Sequence, residues 1–196
     1  MSGRKQFDVD EALDKAMAVF WQRGYADASL DVLGAATGLG KGSLYGTFGG
    51  KDELFRRALD RYSATYGARY EQALSAYPGD PVRAVEGFFD VILARINDPA
   101  VPGGCLIAQS AAQSAVLTSD SATHVRRLLD LQHARVREAL DDPRIDQATL
   151  DDLATYVVAV TQSLAVLSRA GASDRELRTV VRLACETVAN RLAPAD

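Results

Sequence analysis

The sequence has few cysteines and no long apolar run. Its two cysteines, Cys105 and Cys185, are far apart, and neither lies in a C-x-x-C motif or a Cys/His cluster of the kind that binds zinc. No stretch approaches the roughly 20 consecutive apolar residues that span a bilayer, and the first ten residues lack the apolar core of a signal peptide. We therefore expect a soluble, cytoplasmic protein with no membrane contact, metal or other cofactor.

Lysine is scarce as well, and its distribution is uneven. All four lysines (Lys5, Lys15, Lys41 and Lys51) lie in the first 51 residues. The formal net charge is −4 at pH 7, which argues against indiscriminate nucleic-acid binding because a generic phosphate binder carries a broad basic surface. Any DNA-binding face must therefore be narrow.

Apolar residues recur at helical spacing along the chain, and no segment alternates in the manner of a strand. The first 50 residues predict three short helices separated by glycine turns, with Gly24 as the end of the first. Longer helices follow, in which the helix after Lys51 extends towards Tyr77 and another runs from Cys105 to Leu117. The sequence predicts an all-α fold with a helix-turn-helix domain at 1–50 and a helical bundle at 51–196.

The segment from Ser29 to Leu54 has the parts of a helix-turn-helix in order. Such a motif needs two short helices and a tight turn, so that the second helix can enter a major groove about 12 Å wide. Gly38 allows the sharp turn, while Leu44 and Phe48 give the second helix an inward face at i, i+4. The polar residues between them are then left for DNA.

This segment resembles the N-terminal domain of TetR/AcrR-type transcriptional regulators. The matching elements are Ala35-Ala36-Thr37-Gly38, the run Lys41-Gly42-Ser43-Leu44-Tyr45, then Phe48 and Lys51. Strong similarity covers about residues 7–57, and the rest of the chain is similar in helical layout and length. The resemblance implies a DNA-binding transcriptional regulator, by default a repressor, and not an enzyme.

The resemblance also implies roles for individual residues. Tyr45 and Lys51 would bind phosphates, Lys41 and Ser43 would meet the groove edge, and Thr47 would reach a base. Two positions depart from the usual pattern: Gly40 replaces a capping Ser or Thr, and Gly46 replaces a side chain that often contacts DNA. The full expected DNA-binding set is Ser29, Lys41, Gly42, Ser43, Tyr45, Thr47 and Lys51.

The resemblance assigns dimerisation to the last two long helices. Apolar stripes within Leu150–Leu167 and Leu177–Leu192 are suited to a four-helix bundle with a second subunit. The same stripes could instead pack within the monomer. A palindromic operator requires a two-fold protein with reading helices about 34–36 Å apart, which favours the homodimer.

The intervening helices are expected to enclose a pocket for an unidentified small-molecule effector that releases the operator. Cys105 precedes a predicted helix, where the positive end of the helix dipole favours a reactive thiolate. Oxidation or electrophilic modification of Cys105 is therefore an alternative switch, and a small buried hydrophobe is the plainer interpretation. The expected ligand-binding residues are Tyr62, Tyr66, Tyr70, Phe88, Phe89, Cys105, Gln109 and Gln113.

Two other classes of protein remain as rivals. An all-helical enzyme would need a convergent set of acid, base or nucleophile, but the carboxylates are scattered beside predicted helix starts, where the helix dipole explains them. We therefore expect no catalytic residues. A helical adaptor that binds only protein would make the predicted DNA-facing residues dispensable.

Overall fold

The structure, a computed structural model, describes residues 7–193, and all regular structure in that range is helical. Lys5 and the outermost residues of both predicted domains lie outside this range. The helices are α1 (Val9–Asp27), α2 (Leu30–Thr37), α3 (Lys41–Phe48), α4 (Lys51–Ser75), α5 (Pro81–Ile96), α6 (Leu106–Ala112), α7 (Ser119–Ala139), α8 (Gln147–Arg169) and α9 (Asp174–Leu192).

Two helix ends differ from the sequence prediction. Gly24 does not end α1: it has φ 80°, a conformation that favours glycine, and the chain resumes helical structure to Asp27. The segment after Cys105 is not one helix, because α6 stops at Ala112 and a single 3₁₀ turn covers Ser114–Val116. Both differences arise at one junction, where the side chain of Gln113, which follows α6, packs against the bend at Gly24 in α1.

The core consists of two clusters that share α4. The first joins α1–α4 to α6, α7 and Ala165 of α8, and the second joins the end of α4 to α5 and α7–α9. Residues near the start of α4, such as Leu54 and Phe55, belong to the first cluster, while Leu74 near its end belongs to the second. The uninterrupted helix α4, which begins at Lys51, therefore connects the N-terminal helices to the body.

Part of the apolar stripes on α8 and α9 packs inside the monomer. Leu153, Val157 and Leu164 of α8 are buried, as are Leu177 and Val188 of α9. The physical reason is that α8 lies among α5, α6, α7 and α9, so its most apolar face has partners within the chain. Other apolar side chains of these two helices stay exposed, namely Tyr156, Val166, Leu167 and Leu183.

Within the described residues, α8 is long and apolar enough to cross a membrane by length and composition. Core helices of soluble proteins pass the same test, and α8 packs against four other helices. Its apolar character is explained by this packing.

Candidate nucleic-acid interface and buried cavity

A tight glycine turn joins α2 to α3. Gly38 has φ 73° and ψ 15°, a left-handed conformation that an L side chain rarely adopts, and its N–H donates to Gly34 O. Thr37 Oγ1 donates to Leu33 O at 2.8 Å and accepts from Leu39 N at 3.3 Å. This hydrogen bonding fixes the angle between the two short helices.

The inward face of α3 consists of Leu44 and Phe48, each 1% exposed. Because these two residues are four positions apart, the other side chains of α3 point sideways or outward. Lys41, Gly42, Ser43 and Tyr45 are exposed, and Thr47 is half-buried. Tyr45 is 53% exposed, the most exposed aromatic side chain among the large hydrophobic residues that the structure describes.

Three of the expected DNA-binding residues have partners within the chain. Ser29 caps α2, since its Oγ accepts from Val32 N at 3.2 Å. Lys41 Nζ lies 2.8 Å from Asp31 Oδ1 in a pair that is exposed and therefore weak. Lys51 Nζ lies 4.3 Å from the centre of the Tyr25 ring, and partial burial lowers the pKa of Lys51. The ammonium is thus held at the start of α4, next to α3.

The two departures noted in the sequence have open surroundings. Gly40 precedes α3 without a side-chain cap. A Cβ placed on Gly40 or Gly46 would meet no atom of the described residues within 4 Å, and neither glycine has a positive φ. Neither steric contact nor backbone conformation within the described residues therefore requires a glycine at these two positions.

Comparisons with known proteins agree with this geometry. Residues 12–58 match the family model described as bacterial regulatory proteins, tetR family. The HTH-type transcriptional repressor ComR of Escherichia coli K12 is 29% identical over 181 residues, which cover 90% of this chain and 86% of ComR. A cysteine variant of the TetR-family regulator CifR, solved with 26-base-pair operator DNA, is 30% identical with TM-score 0.82, and the match covers 93% of this chain and 97% of that one.

The chain belongs to the TetR family. A TetR regulator of Chloroflexus aurantiacus, 24% identical over 92% of this chain and 93% of its own with TM-score 0.79, has the same fold. This TetR-family chain is therefore a DNA-binding transcriptional regulator with an N-terminal helix-turn-helix and a helical body. Its α2–α3 unit is the helix-turn-helix.

The body of this TetR-family chain contains a small cavity between α4, α5, α6, α7 and α8. Its volume is about 30 Å³, which is space for about two water molecules. Leu74, Phe88, Ile107 and Leu128 supply its apolar wall. The polar lining residues are Tyr62, Ser63, Tyr70, Arg95, Cys105, Gln132, Arg135 and Thr161.

Arg95 is the most buried charged group in this wall, at 5% exposed. Its Nε donates to Tyr70 Oη at 2.8 Å and its Nη1 donates to Gly104 O. The guanidinium carbon lies 5.7 Å from the Trp21 ring centre and 5.9 Å from that of Tyr66. Among the described residues, no carboxylate is within ion-pair distance of Arg95.

The tyrosine hydroxyls beside Arg95 are neutral at pH 7. Burial raises the pKa of Tyr70 to about 12, and burial also raises the pKa of Tyr62 well above its usual value. The Tyr62 hydroxyl is buried and has no hydrogen-bond partner within the described chain, although Cys105 and Tyr70 are its polar neighbours. Both hydroxyls therefore keep a proton to donate.

Four of the eight expected ligand-binding residues line the cavity, and four do not. Tyr62, Tyr70, Phe88 and Cys105 line the cavity. Tyr66 lies behind it against Trp21, with ring centres 5.5 Å apart. The remaining three residues, Phe89, Gln109 and Gln113, are not part of its lining.

Gln109 and Gln113 lie at the junction between the body and α1. Gln113 Oε1 accepts from Tyr25 N at 3.0 Å, just after the bend at Gly24. Arg169, at the end of α8, donates to Trp21 O at 3.1 Å, to Gln22 O at 3.2 Å and to Gln109 Oε1 at 2.8 Å. These side chains attach α6 and α8 to the carbonyl end of α1.

Arg95 was not among the ligand-binding residues expected from the sequence, although the sequence contains a signal for it. Phe88, Ile92 and Arg95 recur at spacings of four and three residues, which puts the arginine on the buried face of α5. An arginine in the last turn of a helix is usually explained by the helix dipole, so this signal is easy to overlook. Arg135 and Thr161 come from distant helices, and only the fold brings them to the cavity.

Proposed function

We propose that this protein is a cytoplasmic repressor that binds a palindromic operator as a homodimer and releases it when a small molecule occupies the body cavity. The polar outer face of α3 carries the DNA-binding half of the proposal. Tyr45 is exposed there beside Ser43 and Lys41, and hydroxyl and ammonium groups bind phosphates and base edges. The CifR variant with which the chain shares its fold was solved on operator DNA.

The exposed apolar side chains of α8 and α9 support the homodimer. Tyr156 and Leu167 lie on one face of α8 because they are 11 residues, or three turns, apart. Val166 is 62% exposed and Leu183 of α9 is 50% exposed. Burial of such a surface against a second copy removes apolar area from water and places two α3 helices on one DNA molecule.

The junction at α1 supports communication between the cavity and the helix-turn-helix. Cys105 lines the cavity and directly precedes α6, and α6 carries Gln109. Arg169 binds Gln109 and two carbonyls of α1 at once. A ligand that displaces α6 would therefore change the hydrogen bonding of α1, which packs against α2 and α4.

The DNA-binding proposal is tested by footprinting and fluorescence anisotropy of the purified protein on the DNA upstream of its own gene. We expect a protected palindrome, and Tyr45→Ala should weaken binding about tenfold or more because a dimer loses two hydrogen bonds to phosphates. Tyr77→Ala is the matched control, since Tyr77 is also an exposed tyrosine, at 38%, but follows the far end of α4.

Equal affinities of the Tyr45→Ala and Tyr77→Ala variants would contradict the proposal. A protein that shows no footprint there and no preference in a selection from random duplexes would contradict it as well. Turnover of a substrate that depends on one side chain would instead support the enzyme class.

A second switch is favoured by the position of Cys105. The thiol is buried, at 9% exposed, but it lines the cavity beside Tyr62 and Arg95, where a reagent that enters the cavity would meet it, and the CifR structures on DNA carry cysteine substitutions. We propose that electrophilic modification of Cys105 releases the operator in the same way as a bound ligand. Iodoacetamide should release DNA from the wild type but not from Cys105→Ser, and equal release from both proteins would remove this switch.

A further inference from the structure

The charge balance of the body cavity is one-sided. Two arginines, Arg95 and Arg135, line it, and the described part of the chain contributes no Asp or Glu to its wall. An acidic side chain close by, Glu71, lies at the rim and is 62% exposed, with Oε2 3.2 Å from Arg135 Nη2. A cavity of this kind attracts an anion and disfavours a cation.

Because Arg95 is buried, the missing counterion destabilises the ligand-free protein. Arginine stays protonated in proteins, and a buried charge is normally paired with an opposite charge. Here the partners are a tyrosine oxygen, a carbonyl oxygen and two aromatic faces, all of which are neutral. The planar guanidinium is therefore set up for a carboxylate, whose two oxygens match its geometry.

The Tyr62 hydroxyl is a second group without a partner at the same place. It is fully buried, its oxygen has no hydrogen-bond partner in the described chain, and it lines the same cavity as Arg95. Native proteins rarely leave such a group unpaired. The Tyr70 hydroxyl accepts from Arg95 Nε and so keeps its own proton for another acceptor.

We propose that this cavity binds a small organic carboxylate. Its charged group pairs with Arg95 and accepts a hydrogen bond from the Tyr62 hydroxyl, and its apolar part contacts Phe88, Leu128 and Ile107. This inference rests on the proposed function, because it names the chemical class of the effector. Arg135 already has Glu71 as its partner, which leaves Arg95 as the arginine of this lining that needs a counterion, so a monocarboxylate fits better than a diacid. A neutral molecule of the same shape would leave Arg95 unpaired.

The entrance follows from the same contacts. A Cβ on Gly67 would lie 2.8 Å from Arg135 Nη1, so the arginine crosses α4 at the position without a side chain. Arg135 pairs with Glu71, whose side chain is 62% exposed, and an ion pair with one partner in solvent is weak enough to open. Because the closed space is only about 30 Å³, a ligand larger than about two waters enters by displacing this side chain.

The experiment compares benzoate, phenylacetate and hexanoate with the corresponding primary amides on the full-length protein. Binding is measured by isothermal titration calorimetry and by the thermal midpoint Tm. We expect at least one carboxylate to bind and raise Tm, and its amide to bind at least about tenfold more weakly, since hydrogen bonds to charged groups are the stronger ones. Operator release is followed in parallel by fluorescence anisotropy.

Two variants assign the effect to the cavity. Tyr62→Phe keeps the ring and removes the hydroxyl, and it should weaken carboxylate binding about tenfold while its Tm without ligand is unchanged or higher. Arg95→Met should abolish the preference for carboxylate over amide. If Arg95→Met does not fold, Tyr62→Phe still decides the question. Arg126→Gln is the control because Arg126 has a side chain 76% exposed on the outside of α7.

The inference is overturned if none of the three carboxylates binds, if amides bind equally well, or if Tyr62→Phe and Arg126→Gln behave alike. Arg95 would then serve only to hold the loop at Gly104. Operator binding without any carboxylate effect would leave the proposed repressor standing and remove the carboxylate. Carboxylate binding by a protein that binds no operator would support the carboxylate site and contradict the proposed repressor.

Discussion

The helix-turn-helix and the body handle their polar groups in opposite ways. In α3 the polar side chains are exposed, the N-terminal cap is a glycine, and two apolar residues, Leu44 and Phe48, hold the helix in place. In the body, Arg95 is buried without a counterion and Tyr62 without a hydrogen-bond partner among residues 7–193. The first arrangement suits a surface that exchanges water for phosphates, and the second suits an enclosed site that gains by binding an anion.

The largest effect should come from the anchor of α3. Phe48→Ala removes one of its two inward side chains, and we expect the free energy of unfolding to fall by about 3–5 kcal/mol. Chemical denaturation measures the loss, and operator binding should disappear with it. Tyr45→Phe is the control, because Tyr45 is 53% exposed and its change should leave stability unaltered. If Phe48→Ala cost no more than Tyr45→Phe, α3 would have other anchors.

The next largest effect should be seen at Cys185, a buried thiol of the body. Burial, followed by nearby Glu86 and Asp90, raises the pKa of Cys185 to about 11 from its ordinary 9.0. The thiol is therefore protonated at pH 8, and the fraction of thiolate is about a hundredfold lower than for an unshifted thiol. In the Cys105→Ser variant, Cys185 is the one remaining cysteine. Its alkylation by iodoacetamide, measured by mass spectrometry, should be correspondingly slow and should accelerate as pH rises towards 11. Rapid labelling at pH 8 would contradict the burial of Cys185.

The third prediction tests the junction between the two regions. A side chain at Gly24 would be strained at φ 80° and would lie 2.5 Å from the amide group of Gln113. We expect Gly24→Ala to cost about 1–3 kcal/mol of stability. The loss should be smaller in a Gln113→Ala background, where only the backbone strain remains. Additive losses in the double-mutant cycle would show that Gln113 does not pack at the bend.

The smallest effect is a gain in stability. Gly46 is exposed, has helical surroundings and leaves open space around an added Cβ, so Gly46→Ala should stabilise α3 by up to about 1 kcal/mol. Thermal unfolding measures the gain. If a methyl group at this position also leaves operator affinity unchanged, the bare face of α3 is not pressed against DNA at Gly46. Destabilisation would mean that α3 is not helical there.

The helix-turn-helix was predictable from the sequence, whereas the cavity was only partly so. Gly38, Leu44 and Phe48 are local signals, and a turn and an i, i+4 pair need no knowledge of the rest of the fold. Arg135 and Thr161, by contrast, reach the cavity from α7 and α8, and their meeting depends on helix packing. The stripes on α8 and α9 left two interpretations open for the same reason, because periodicity shows that a face is apolar but not which partner buries it.

We propose that the start of α4 and the outer face of α3 bind operator phosphates. The most direct test is the salt dependence of operator affinity for the wild type, Lys51→Gln and the control Arg126→Gln. Each dimer loses two lysine contacts in Lys51→Gln, so the slope of log K against log salt should become shallower by about 1.8. Arg126→Gln should keep the wild-type slope. Equal slopes for all three proteins would contradict the claim.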